Sequence, residues 1–348
     1  MRFVAEAAMK AAWIEEFGGL DVIKVGERPT PRRNSGDVLV KMEVSTLNHR
    51  DLYLRRGEAG RVLLPVILGS DGAGTVVEVS PDSFFKPGQR VAIYPVLFCG
   101  NCIGCLNGQP HKCLTFGMVG GEKDGTHSEY IVVSEQNLVP IPDGLSSEIA
   151  AAVSLAGLTA WNMVVDEGFA KPGEHALVLG ASGGVGVFVV LLLKYFGLTV
   201  YAVTSSPEKK QALYDIGADY VLDDSPLDVL KSTMKLYNKG VDLAFNCVGG
   251  ESWRYVLPAV RNGGRILICG TVRSPIAELD MRQIFYRNLS LIGCSMGTPE
   301  GLIELLNIAA TNEGFRLPID SVISLDDIPR AHERMEAGQL TGKVVIQF

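Results

Sequence analysis

The stretch His175-Ala-Leu-Val-Leu-Gly180-Ala-Ser-Gly-Gly-Val-Gly186 decides the architecture of the chain. Residues 175–179 read as a strand. Gly180, Ala181, Ser182, Gly183, Gly184, Val185 and Gly186 read as a turn, and the unbroken apolar run 187–193 reads as a helix. Small residues at a strand-to-helix turn let the backbone bend sharply, let a pyrophosphate reach the helix N-terminus and let helix pack closely on strand. A tight turn alone would explain a lone glycine pattern, but this one opens a series. ALVLG, TVYAVTS, DYVLD, VDLAFNCVG, RILICG and LSLIGC follow as apolar strands, with helical segments between them at residues 208–216 and 228–237. Continuous apolar strands alternating with helices predict a doubly wound α/β unit, a Rossmann domain with a parallel six-stranded sheet buried on both faces.

The end of the second strand selects the nicotinamide. Where an acid would meet the ribose 2′-hydroxyl of NAD(H), the chain offers Thr204-Ser205-Ser206-Pro207-Glu208-Lys209-Lys210. Hydroxyls and an ammonium suit the 2′-phosphate of NADP(H), so Ser205, Ser206 and Lys209 are the expected contacts. The other reading is a helix cap followed by solvated lysines, and Glu208 keeps NAD(H) in view.

Upstream, short strands at residues 38–44, 74–79, 90–94 and 130–133 are separated by Gly/Pro turns such as Lys86-Pro87-Gly88, which makes this half β-rich. Downstream, a helix at 300–310 and a closing strand at 342–348 read as a tail that rejoins the first half. At 348 residues two domains are expected. With 32 basic against 39 acidic side chains, net −7, and no Lys/Arg block, nucleic acid and anionic membranes are poor partners. The apolar run 187–193 is too short to span a bilayer, and MRFVAEAAMK lacks the apolar core of a signal peptide. A soluble cytoplasmic protein is expected.

Four of the seven cysteines are bunched as Cys99-Gly-Asn-Cys102-Ile-Gly-Cys105, then Cys113. That density in one Gly/Asn-rich loop does not read as a secreted disulfide framework. The loop has little apolar surface to bury, so one structural zinc ion held by all four thiolates would supply its folding energy, with an iron–sulfur cluster or free thiols as the other readings. Four sulfurs leave no open coordination position.

A β-rich N-terminal half, the CxxCxxCx7C lobe, a following Rossmann unit and a returning tail resemble the medium-chain dehydrogenase/reductase superfamily, which includes the zinc alcohol dehydrogenases. The resemblance implies a GroES-like catalytic domain at 1–156 with the zinc lobe at about 95–115, a Rossmann NADP(H)-binding domain at 157–297 and a C-terminal segment at 298–348 rejoining the first. It also implies a small-molecule substrate and a homodimer or homotetramer. At the family's catalytic-zinc positions this chain carries Asn48 in LNHRD, Ser70 in LGSDGAG and Leu155 in VSLAGLTAW. None is a good zinc ligand. His49 and Asp71 adjoin two of these places as a displaced metal pair, which adjacency alone does not assemble.

The run Asn48-His49-Arg50-Asp51-Leu52-Tyr53, with GASGGVG, is similar to the quinone oxidoreductase and enoyl reductase branch. By that resemblance Asn48 and Tyr53 line the pocket beside the nicotinamide, where an amide N–H and a phenol O–H can donate to a carbonyl oxygen. The expected activity is hydride transfer from NADPH to a small conjugated carbonyl (an enone, enal or quinone) without catalytic zinc. The rivals are a zinc alcohol dehydrogenase with a displaced metal and an NADPH-binding sensor with little turnover. His111, His127, His175 and His332 have no partnered spacing and read as structural or surface residues.

Overall fold

The computed structural model describes residues 8–236 and 239–348. The N-terminal residues 1–7, and Tyr237 at the expected end of a helix, lie outside them. The chain divides into two units, one running up to Leu155 and taking in Thr298–Thr311 and Ile319–Phe348, the other Ala156–Gly297 with Asn312–Pro318.

In the second unit six strands form one all-parallel sheet: β1 His175–Leu179, β2 Thr199–Thr204, β3 Tyr220–Asp223, β4 Val241–Asn246, β5 Val260–Ile268 and β6 Ser290–Gly293. Their order is β3-β2-β1-β4-β5-β6, reversing direction of growth beside β1, as in a doubly wound nucleotide-binding sheet. Helix α1, Gly184–Tyr195, follows β1, and its apolar residues Val187 through Leu193 are all buried. The helix expected over 208–216 begins instead as a 3-10 turn, Pro207–Lys209, before the α-helix Lys210–Asp215. Pro207 supplies a preset φ at that first position. The helix expected over 228–237 runs Pro226–Thr233. Residues 312–318, expected with the returning tail, belong to this unit, where the Phe315 ring lies 6.1 Å from that of Phe188 in α1.

The first unit is built on a seven-stranded sheet ordered Leu138–Pro140, Arg90–Ile93, Gly72–Glu78, Asp37–Thr46, Lys343–Gln347 and Ile319–Ile323, with Tyr130–Ser134 also paired to Asp37–Thr46. Val38, Val40 and Met42 alternate along the long central strand and share one core cluster with Val91, Ile93, Ile131 and Val133 from its neighbours. The closing strand pairs antiparallel with that same strand, Val345 opposite Thr46. That register carries Lys343 to the residues just past the strand, Leu47 and Asn48.

One described helical stretch, Ser147–Asp166, is long and apolar enough to cross a membrane, yet 78% of its most apolar window is buried within the chain, as in a core helix. No single apolar run marks it in the sequence, because Ser154, Thr159 and Asn162 interrupt the residues between Glu148 and Asp166.

Candidate functional site

The cysteine lobe assembles from three short pieces. Cys102 precedes the helical turn Ile103–Leu106, which carries Cys105, and the 3-10 turn Pro110–Lys112 delivers Cys113. Gly100 at φ 76° and Gly108 at φ 70° make reversals that other residues rarely adopt. All four sulfurs lie within 4.8 Å of one another. Cys102 to Cys105 and Cys99 to Cys113 are 3.5 Å apart, and Cys99 to Cys105 is 4.0 Å. Sulfurs in a tetrahedron around zinc at about 2.3 Å stand about 3.8 Å apart, so the set fits the ion. The backbone N–H groups of Cys99 and Thr115 also donate to the Cys113 sulfur, at 3.3 and 3.4 Å, which favours its thiolate. Among the described residues no other group of three His, Cys, Asp or Glu has this geometry. Purified protein is therefore expected to hold one tightly bound zinc per chain. Cys102→Ser should lower thermal stability while the folded fraction keeps its cofactor affinity, as elemental analysis, melting curves and cofactor titration would read. Two tightly held zincs, or lost turnover at unchanged stability, would contradict a single structural site.

Around Asn48 the same unit buries a polar cluster. Asn48 precedes the helix His49–Arg56, and its backbone N–H donates to the Asp51 carboxylate at 2.8 Å. The Asn48 amide is occupied at both ends. Its Nδ2 donates to Thr46 O at 3.2 Å, and its Oδ1 accepts from the Lys343 ammonium at 2.6 Å. Lys343, 1% exposed, also donates to Leu47 O at 3.1 Å and stands 3.7 Å from Asp71 Oδ2. Asp71, wholly buried, takes the Thr46 hydroxyl at 2.8 Å. Burial pushes the Lys343 ammonium down and the Asp71 carboxyl up, and their mutual attraction opposes both shifts. Ser70 accepts from Arg50 Nη1 at 3.1 Å. Asn48 and Ser70, at places where the resemblance puts zinc ligands, thus each accept from a cation, the buried Lys343 and the half-buried Arg50.

Sequence reading set His127 aside, yet its Nδ1 lies 2.9 Å from Ser45 Oγ and its Nε2 4.0 Å from Asp51 Oδ2, with both the imidazole and the carboxylate fully buried. Burial pushes Asp51 up to about 6 and His127 down to about 3, which leaves His127 a neutral imidazole beside the carboxyl group. No spacing signal joins His127 to Ser45 or Lys343 to Asn48. Both pairings come from strand register.

The Tyr53 hydroxyl is buried and has no hydrogen-bond partner. Tyr53 and His49 are four residues apart on one helix and so share a face. Burial first, then Lys343 and Arg56, push His49 down to about 4, leaving a neutral imidazole. Because His49 opens a helix, strand alternation does not govern its direction. Asp71 is already engaged by Thr46 and the Lys343 charge.

In the second unit the glycine turn is tight. Gly180 has φ 67°, and a Cβ on Gly186 would stand 2.2 Å from Gly180 O, so only glycine lets α1 start this close to β1. The first-turn N–H groups of such a helix lack helical partners and point at whatever lies over the turn. Ser182 Oγ is 3.3 Å from Thr204 Oγ1 at the end of β2, tying the turn to the segment expected to read the ribose. Ser205 is exposed, Ser206 and Lys209 are half-buried, and the Ser206 hydroxyl donates to the Glu208 carboxylate. Lys210 pairs with Asp223 at 2.7 Å.

A closed four-thiolate lobe on a β-rich unit and a doubly wound unit with a glycine turn define a zinc-binding, nicotinamide-dependent dehydrogenase. Two family models match: the alcohol dehydrogenase GroES-like domain over residues 34–143, and the zinc-binding dehydrogenase over residues 184–311. An alcohol dehydrogenase of Geobacillus stearothermophilus is 32% identical over 345 residues, covering 98% of this chain and 99% of that one. A solved NAD-dependent alcohol dehydrogenase is 34% identical at a TM-score of 0.90, covering 98% of this chain and all 100% of that one. A zinc-binding dehydrogenase of Sinorhizobium meliloti 1021, solved with NADP, is 27% identical at a TM-score of 0.88, covering 98% and 100%. The chain belongs to the zinc-type alcohol dehydrogenase-like medium-chain dehydrogenase/reductase superfamily. It is an oxidoreductase of the alcohol dehydrogenase type.

Proposed function

We propose that this enzyme reduces a small conjugated carbonyl, an enone, enal or quinone, with NADPH and without a catalytic zinc. The observation carrying this reading is that Lys343 holds Asn48 and Arg50 holds Ser70. Asn48, Ser70 and Leu155 offer an amide, a hydroxyl and a hydrocarbon where the resemblance places zinc ligands. A divalent ion beside the buried Lys343 and the half-buried Arg50 would meet repulsion that no thiolate or carboxylate at those positions offsets.

The nicotinamide supplies the hydride. Gly180, Ala181, Ser182, Gly183, Gly184, Val185 and Gly186 would hold its pyrophosphate at the N-terminus of α1. This chain's own contribution to the chemistry is the Tyr53 phenol, a buried donor without a partner, which by the family resemblance would hydrogen-bond the substrate oxygen as negative charge develops on it. Asn48, its amide already engaged, orients the polar cluster and is not a free donor. The enzyme is proposed to be cytoplasmic and a homodimer or homotetramer.

The deciding experiment combines zinc analysis with a substrate panel. One zinc per chain with NADPH-dependent enone or quinone reduction supports the reading. Oxidation of simple alcohols, halted by a chelator that spares the cysteine lobe, overturns it in favour of a displaced metal at His49 or Asp71. Tight NADPH binding with no turnover across the panel overturns it in favour of a sensor.

One contact favours NADH: Glu208 accepts the Ser206 hydroxyl, so a 2′-phosphate there must displace a carboxylate. Lys209→Glu therefore tests the cofactor. If Ser205, Ser206 and Lys209 hold the phosphate, NADPH affinity should fall by 1.5–3 kcal/mol, about 10- to 150-fold, with NADH far less affected. Equal weakening of both in a fluorescence titration would remove Lys209 from the phosphate site.

A further inference from the structure

Three cysteines take no part in the zinc lobe, and two of them meet. Asn246 of β4 and Ile268 of β5 are paired in register, so Cys247 and Cys269 are the next residues along two adjacent parallel strands. The Cys269 N–H donates to Asn246 O at 3.2 Å, continuing the ladder one step beyond that pair. The two sulfurs stand 3.7 Å apart. Neighbouring strands lie about 4.8 Å apart, inside the span a disulfide bridges, and the sulfurs need only rotate together to about 2.05 Å. Cys294 stands after β6, but its sulfur turns to Ile292 O at 3.7 Å, leaving Cys247 and Cys269 as the pair.

The two thiols differ in access. Cys247 is half-buried and Cys269 buried. Position adds a second feature. A Cβ built on Gly180 would stand 3.9 Å from Cys247 Cβ, so Cys247 borders the turn that would carry the cofactor pyrophosphate.

We propose that Cys247 and Cys269 are a peroxide-oxidised dithiol site, closing to a disulfide at the ends of β4 and β5, which a nicotinamide cofactor over the glycine turn shields. Cys247, the more exposed thiol, attacks one oxygen of a hydroperoxide as its thiolate. The O–O bond breaks, the leaving oxygen takes a proton, and Cys247 becomes a sulfenic acid. Cys269 then attacks that sulfur; the sulfenic oxygen leaves as water with the Cys269 proton, and the S–S bond forms. Two thiols lose two electrons and two hydrogens, and the peroxide is reduced to water and an alcohol, or to two waters for hydrogen peroxide. The hydrogen bond to the Cys247 sulfur, then burial, hold the Cys269 thiol well above its ordinary value, so Cys269 is not the first thiol to meet the peroxide. Reversible intracellular disulfides are characteristically of this regulatory kind.

The site rests on sulfur geometry and stands apart from the substrate reading; the shielding alone rests on the cofactor's place over the turn. The test uses full-length, zinc-loaded protein titrated with hydrogen peroxide, alkylated, digested and read by mass spectrometry, with zinc release followed in parallel. Expected is a Cys247–Cys269 cross-linked peptide, two hydrogens lighter, formed before zinc is lost and reversed by dithiothreitol. Cys247→Ser and Cys269→Ala should each abolish it. At NADPH about 100 times its Kd a shielded thiol is free in about 1% of molecules, so oxidation should slow by up to about 100-fold. Separate alkylation of both thiols while the lobe cysteines oxidise would overturn the site. Cross-linking at one rate with and without NADPH would overturn the shielding.

Discussion

Tyr53→Phe is expected to lower turnover of an enone or quinone by roughly 10- to 1000-fold while leaving NADPH affinity unchanged. The substitution keeps the ring and removes only the hydroxyl, so packing around residues 49–56 is preserved. That hydroxyl is buried without a protein hydrogen-bond partner. A buried donor left unpaired costs about 1–3 kcal/mol, and a substrate oxygen that accepts from it recovers that cost as charge develops. The lower end of the range corresponds to one modest hydrogen bond, the upper end to a full oxyanion donor. The change should appear in kcat and kcat/KM together, because a bond that strengthens only in the transition state does not report in ground-state binding. If Tyr53→Phe keeps wild-type kcat on every conjugated carbonyl tried, the phenol is not the donor and the reductase reading loses its catalytic group.

The second large effect is on stability. Lys343→Met should destabilise the first unit by about 3–5 kcal/mol, the cost of leaving a buried ion-pair partner alone. The ammonium is 1% exposed and serves Leu47 O, Asn48 Oδ1 and the nearby Asp71 carboxylate. Its removal strands the Asp71 charge and frees the Asn48 amide. Lys343→Met combined with Asp71→Asn removes both charges, so the pair should recover much of the loss. A coupling above about 1 kcal/mol in urea unfolding is expected for residues in one network. A single-variant loss below that size would mean that solvent, not Asp71, compensates the ammonium.

Much of this was legible locally. The glycine turn needs small residues within seven positions, and the zinc lobe needs four sulfurs within one loop; each leaves its mark at short range in the chain. Helix ends were less legible. Pro207 tightens the first turn at 207–209, and Ser154, Thr159 and Asn162 break up the apolar residues of the Ser147–Asp166 stretch, whose burial only the fold shows. Residues 312–318 look like the rest of the tail, but Phe315 finds its aromatic partner in α1.

The sequence by itself determined a parallel sheet with a tight glycine turn and a four-sulfur lobe, and it put an amide, a hydroxyl and a hydrocarbon at positions 48, 70 and 155. Periodicity, turn chemistry and motif spacing operate within a few residues, and that range suffices for these features. Only the tertiary structure decided which distant groups meet Asn48 and Ser45. Lys343 meets Asn48 across 295 residues, and His127 meets Ser45 across 82. Both meetings follow from the register of strands on Asp37–Thr46, where the closing strand pairs with its C-terminal end and Tyr130–Ser134 with its N-terminal part along the same edge. Register is set by which faces are buried together, a property of the assembled sheet, so no local pattern could place a buried ammonium beside Asn48.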